Sequence, residues 1–266
     1  MKIIERAWLT FAFFLLYAPI LFLVVYSFNG GETMQAFESF SFVHYQELWE
    51  DTRLLEIVLD TLILALASSL IATVVGTIGA LAIFRAQRKL LKETLLGLNN
   101  VLLVSPDVII GAAFLILMTA LGLKLGFLTV LLAHVAFSIP IVVLMVLPKL
   151  QEMNRDLVLA AQDLGAKPTE VLTKVTLPVI SSGIVAGFFM ALTYSLDDFA
   201  VTFFVTGNGF STLAVEVYSR ARQGVSLEIN ALSTLMLFVA FVLVLGYYAY
   251  SQKQKGKKTK LKEKVK

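Results

Sequence analysis

Three acidic residues sit inside long apolar runs: Asp107, and the adjacent pair Asp197 and Asp198. A carboxylate in such surroundings is costly unless it pairs, bonds or faces water, so each marks a place worth explaining. Tyr194 precedes Asp198 by four residues and Thr202 follows it by four, so on a continuous helix the three share one face. Asp197 shares a face with Thr193 in the same way. Asp, Thr and Tyr on one face suit an alkylammonium ion: the carboxylate pairs with the cation, hydroxyls accept N–H bonds, and the ring covers methylenes or charge. The competing use is structural, an Asp capping a broken helix or bonding a neighbouring one. For Asp107, directly after Pro106, that use weighs at least as heavily, because proline interrupts the backbone ladder. For Asp197 and Asp198, two adjacent acids exceed what a cap needs, which favours a solute path. His134, alone in its apolar run and four residues before Ser138, reads as a hydrogen-bonder between helices rather than a ligand.

Other chemistry is excluded or left thin. The chain has no cysteine, so disulfides, thiolate-bound zinc and thiol nucleophiles are absent. No GxxxxGK[ST] loop occurs, so ATP is not bound by that route, and neither HExxH nor GxSxG is present. With two histidines, a metal or nucleophile site would need to be built almost wholly from carboxylates, and no catalytic or metal-binding residue is assigned. An intramembrane enzyme could pair Asp107 with Asp197 or Asp198, but it would need close approach and one strongly raised pKa. A stand-alone channel would need charge rings or a filter.

The elements that hold these acids are membrane spans. Hydrophobic residues make up 58% of the chain, above the ~45–50% of soluble domains, and mean hydropathy is +0.83. They fall in runs of roughly 20 residues, enough to cross a ~30 Å hydrocarbon core. Six spans are predicted, near Ala7–Phe28, Ile57–Phe84, Leu95–Leu121, Leu123–Leu147, Val179–Phe204 and Glu228–Tyr250. Each must be helical, since lipid satisfies no backbone group. The first run is long, contains Pro19 and lacks a small-residue cleavage site, so it reads as a span and not as a signal peptide. Asp107 falls ~18 Å into the third span and the acidic pair ~27 Å into the fifth, at ~1.5 Å per residue. Gly76 and Gly79, and Gly183 and Gly187, are small residues that permit close helix approach. Pro140 reads as a kink and Pro148 as the end of the fourth span.

Lys and Arg fix the expected orientation. They gather at the N-terminus, around Arg85–Lys92, in the loop 149–178 and in the tail, whereas the opposite side holds only Arg53, Lys124, Arg220 and Arg222 of the chain's 22. Both termini are therefore expected in the cytoplasm. The net charge of +3 and pI near 9.0 arise from this placement and do not point to nucleic acid. The expected organisation is one six-helix membrane domain, 1–250, and a basic tail, 251–266, too polar to fold alone but able to lie on anionic headgroups. The outer loop Asn29–Glu56 is acidic and aromatic, with a short interfacial helix expected at Val43–Glu50. It serves as an aromatic belt, or as an acidic collar that steers cations.

The longest cytoplasmic connection, Lys149–Pro178, has apolar residues at helical spacing on both sides of Gly165. Gly165 is placed to end one helix in a left-handed turn, and Pro168 to begin the next. Two short amphipathic helices at an angle are predicted, resting on lipid or docking into a groove on a soluble partner. Ala160-Ala161, then Gly165, then Val175-x-Leu177-Pro178 resembles the EAA loop of ABC importer permeases, in spacing and in its place before the penultimate span. Leu159 stands where that family usually has Glu. Tyr194–Phe199, Phe204–Gly207, Ser105-Pro106-Asp107 and Ile229–Thr234 are similar to the second permease of spermidine/putrescine importers, a pattern shared in part by permeases for other solutes.

The resemblance implies an all-α, six-span permease whose coupling loop, through Ala160, Ala161, Asp163, Gly165, Ala166, Leu177 and Pro178, meets a cytoplasmic ATPase dimer. It implies a second, homologous permease and an extracytoplasmic solute-binding protein as partners. ATP and Mg2+ would then belong to the ATPase, with no cofactor in this chain. The substrate path would be carried by Asp197, Asp198, Tyr194, Thr202 and Asp107.

Overall fold

The computed structural model describes residues 2–223, 227–239 and 241–242. The expected tail 251–266 and the far part of the sixth span lie outside the described residues. The helices are α1 (Lys2–Tyr26), α2 (Val43–Glu50), α3 (Thr52–Arg85), α4 (Lys89–Val104), α5 (Asp107–Ala120), α6 (Phe127–Glu152), α7 (Arg155–Asp163), α8 (Pro168–Glu170), α9 (Leu177–Asp197), α10 (Ala200–Val205) and α11 (Leu213–Gln223), with a further apolar helix at Leu227–Val239. Among the described residues, four helical stretches are long and apolar enough to cross a membrane, and α4 with α5 makes a fifth if the bent pair counts as one span. Leu227–Val239 begins where the sixth span is expected.

The chain divides into two compact units, 1–55 with 219–266, and 56–218. In the first, α1 is apolar on every side and its side chains are largely exposed, a surface suited to lipid. The outer loop is folded by its own residues. Phe28 stacks on Phe40 at 5.3 Å and meets Phe42 edge-on at 5.5 Å. Asn29 is fully buried, its amide oxygen accepting from the Glu38 N–H at 2.8 Å and its nitrogen donating to Ala36 O at 2.9 Å. Two of the loop's acids are engaged: Glu47 with His44 at 2.7 Å, and Asp51 with Arg220 at 2.9 Å. The Arg220 guanidinium holds the Asp51 carboxyl below its usual range. Arg220 also reaches Glu228 at 2.7 Å.

The second unit is held by close packing. The Cβ that Gly76 lacks would fall 2.6 Å from Val142 Cβ, and the one that Gly187 lacks 3.2 Å from Val142 Cγ1, so α3 and α9 approach the same valine of α6. Gly183 lies against Met145 O, where a Cβ would sit 2.9 Å away. In lipid, helix association depends on such dispersion contact, because apolar surface gains little by leaving hydrocarbon. Gly76→Leu is accordingly expected to destabilise the α3–α6 contact by about 1–3 kcal/mol, read as a lower melting temperature of the purified protein. An unchanged melting temperature would show that α3 can move away freely.

Three features differ from the sequence expectation. The third span is not straight: α4 and α5 meet at 106°. Pro106 pushes Ser105 into extended backbone (φ −75°, ψ 139°), which stops α4. Asp107 therefore begins a new helix and does not lie ~18 Å along an old one. The fourth span runs through Pro148 to Glu152. The segment after Gly165 is not a separate short helix at an angle. It passes from α8 through a π-turn at Val171–Thr176 straight into α9. Pro178 cannot donate to the carbonyl four residues back, and the wider turn just before it absorbs the misfit.

Candidate functional site

The fifth span ends early. Helix α9 stops at Asp197, and Asp198 is extended (φ −68°, ψ 117°) before α10 begins. The Asp198 carboxylate holds the new helix. Its Oδ2 accepts from the Thr202 N–H at 2.8 Å and the Thr202 hydroxyl at 2.7 Å, and its Oδ1 from the Val201 N–H at 3.3 Å. A carboxylate capping free N–H groups replaces the bonds that the break removes. The expected Tyr194–Asp198–Thr202 face does not form, because the helix that would align it is interrupted. Thr202 is fully buried.

Behind the break lies a polar network. His134 on α6 is fully buried, and it bonds Ser195 Oγ through Nδ1 at 2.7 Å and Thr202 Oγ1 through Nε2 at 2.8 Å. Its Nε2 is 3.5 Å from Asp198 Oδ2. Ser195 Oγ lies 2.9 Å from Ser68 Oγ on α3. The network thus ties three helical segments to α10. Both ring nitrogens of His134 are occupied, as expected of a hydrogen-bonder between helices.

In front of the break is a cavity of about 480 Å3. Asp107, Asp197, Asp198, Thr193 and Tyr194 line it, with Phe137 and Phe199 among its apolar neighbours and, among the described residues, no Lys or Arg in its wall. Asp107 arrives because α5 packs against α10 almost backbone to backbone: a Cβ on Gly111 would sit 3.1 Å from Ala200 O and Val201 Cα. Two short half-helices, each begun at a break, are therefore set against one another at the cavity. Asp107, Asp197 and Tyr194 are exposed to it, whereas the Asp198 side chain is only 8% exposed. Among the described residues no three acids or histidines come close enough to hold a metal ion. Asp107 enters the wall from the start of α5, and Asp197 and Asp198 from the break after α9. Such a wall can neutralise separated positive charges while its apolar parts cover the hydrocarbon between them.

The loop 149–178 carries its own local signals. The Asn154 side chain caps α7 by accepting from the Asp156 N–H at 2.9 Å. Gly165 has φ +82°, the left-handed conformation that glycine adopts without cost, and the Ala166 N–H returns to Ala161 O at 3.0 Å. Leu157, Leu159 and Leu164 are exposed, Leu164 by 89%. Ala160 and Asp163 lie on α7, Ala166 in the turn, and Leu177 and Pro178 open α9.

Residues 72–255 match the family model described as binding-protein-dependent transport system inner membrane component. The chain belongs to this family. It is a multi-pass inner-membrane protein, the permease subunit of an ABC importer, and not itself an enzyme. The permease is 33% identical over 245 residues to the spermidine/putrescine transport system permease protein PotC of Escherichia coli K12, covering 92% of each chain. It is 36% identical over 261 residues to the putrescine transport system permease protein PotI of the same organism, covering 96% of this chain and 92% of the relative. Among solved structures, a bacterial alginate ABC transporter in complex with its periplasmic protein aligns with a TM-score of 0.67 at 19% identity, over 92% of this permease and 94% of that chain. The MetNI methionine transporter aligns at 0.57 and 19%, over 73% and 92%. At such identities the likeness is one of fold.

Proposed function

We propose that this permease carries a polyamine cation of the spermidine or putrescine class. The carrying observation is the cavity at the two helix breaks, with Asp107, Asp197 and Asp198 in its wall, Tyr194 beside them and no basic residue among the described residues that line it. Separated ammonium groups pair with separated carboxylates, and the tyrosine ring covers a charge or the methylenes. Relatives named for spermidine and putrescine support the same class. Asp197, Asp107 and Tyr194 meet the solute directly. Asp198 contributes charge while capping α10, and Thr202 supports Asp198 from behind.

The placement of Lys and Arg supports cytoplasmic termini and a cytoplasmic loop 149–178. An ATPase dimer docks on that loop through α7 and the Gly165 turn, with Ala160, Ala161, Asp163, Ala166, Leu177 and Pro178 shaping the contact. ATP and Mg2+ are held by that ATPase. A second, homologous permease completes the pore, and an extracytoplasmic binding protein delivers the solute. Closure of the ATPase dimer moves α7, and because α8 continues into α9, the movement reaches the Asp198 break along one helix.

The test is uptake of labelled spermidine by the complete transporter in proteoliposomes. Asp197→Asn is expected to lower uptake by about tenfold or more, the cost of leaving a cation unpaired, while basal ATP hydrolysis persists. If spermidine and putrescine are not taken up while another solute is, the polyamine assignment is wrong. If Asp197→Asn leaves uptake unchanged, the cavity is not the path.

A further inference from the structure

His134 has no place in the transport path as proposed, yet it is fully buried and both its nitrogens are used. Its partners are not arbitrary. Ser195 lies three residues before Asp198, on the last turn of α9, and Thr202 lies in α10, four residues after it. One imidazole therefore bonds both sides of the interrupted helix. Hydrogen counting fixes how. The Thr202 hydroxyl donates to Asp198 Oδ2, so its oxygen can only accept from His134, and Nε2 must carry a proton. The other ring nitrogen, Nδ1, bonds the Ser195 hydroxyl at 2.7 Å. Ser195 in turn lies within reach of Ser68 on α3. The Ser68 hydroxyl itself donates to Ala65 O at 3.2 Å within α3, so the order of donors is fixed from the ring onward, to Thr202 and then to Asp198.

We propose that His134 is a positioning residue for transport: it staples the two sides of the Asp198 break at a fixed angle and so aims Asp197 and Tyr194 into the cavity. The distances argue for this role. Asp198 alone caps α10, but a cap does not set the direction in which α9 arrives. The bond to Ser195 does, because Ser195 sits between Tyr194 and Asp197 in sequence and one turn below the break. The ring is also held from the side, its centroid 4.9 Å from that of Phe137, which itself lines the cavity. A stapled break keeps Asp197 at one place in the wall, and charge pairing across a few ångströms depends strongly on that place.

The inference rests on Asp197 being a solute-facing acid, and a double-mutant cycle separates the two claims. The complete transporter is reconstituted with the native permease, His134→Leu, Asp197→Asn and the double variant, and spermidine uptake is measured with basal ATP hydrolysis alongside. His134→Leu is expected to lower uptake by about tenfold while basal hydrolysis changes by less than about twofold, and the further loss on adding Asp197→Asn is expected to shrink to about threefold or less. His134→Gln, which keeps one donor and one acceptor, is expected to restore part of the uptake, which a role in bulk packing would not do. If His134→Leu does not assemble, Ser195→Ala and Thr202→Val cut the staple from either side and enter the same cycle. Losses that multiply in full, with Asp197→Asn harmful alone, overturn the staple and leave the solute path standing. If Asp197→Asn is harmless alone, the path falls and the staple with it.

Discussion

Asp198→Leu is expected to lower the stability of the purified permease by about 3–5 kcal/mol, whereas Asp197→Leu, one residue away, abolishes uptake and leaves stability near native. The difference follows from where the oxygens go. Asp198 takes the Thr202 N–H, the Thr202 hydroxyl and the Val201 N–H. Removing the carboxylate takes the cap from α10 and leaves buried donors without partners, which together account for the loss of about 3–5 kcal/mol. The loss spreads, because the Thr202 hydroxyl that loses its acceptor is the one that His134 bonds. Asp197 instead is exposed to the cavity, and among the described residues no partner takes up its oxygens. Asp198→Asn, which keeps an acceptor for the Thr202 N–H, falls between. The measurement is the melting temperature and yield in detergent, set beside uptake for each variant. Native yield and melting temperature for Asp198→Leu would remove the cap from the account of the break.

Much of this arrangement is written locally, and what is not depends on contacts far apart in sequence. The short helix Val43–Glu50, the Asn154 cap, the left-handed Gly165 and Pro168 at a helix start are each set by neighbours a few residues away, and each can be read from residue order. Pro106 announces a disturbance in the third span. The 106° bend turns α5 onto α10, where Gly111 allows a close approach to Ala200 and Val201, about ninety residues on and beyond the reach of any local pattern. Periodicity misplaces Thr202, because it assumes that the helix continues through Asp198. The sign of a break was present in two adjacent acids with a threonine four residues after the second, where a carboxylate can reach the N–H groups three and four positions on. His134 reads correctly as a bonded histidine, but its partners lie 61 and 68 residues away, and no local pattern selects them.

The largest effect outside the membrane is expected at the tip of the loop. Leu164→Asp should reduce the ATPase recovered with the tagged permease by about a hundredfold or more, with the melting temperature of the permease itself unchanged. Leu164 is 89% exposed, so its apolar surface does nothing for this chain's own fold. Exposed leucine beside a rigid turn is a surface that a partner can cover, and covering it gains about 1.5–3 kcal/mol. A carboxylate in its place forfeits that gain and adds the cost of a buried unpaired charge, about 2–5 kcal/mol, and each ~1.4 kcal/mol is tenfold in affinity. Gly165→Ala is the calibrating variant. Nothing lies within 4 Å of the added Cβ, so the cost is confined to a backbone at φ +82°, about 1–2 kcal/mol. It should weaken recovery of the ATPase by about tenfold, less than Leu164→Asp does from the neighbouring position. Full recovery with Leu164→Asp would move the docking surface away from the Gly165 turn. Recovery that fails equally for both variants would mean that the ATPase recognises the shape of the turn more than the leucine that projects from it.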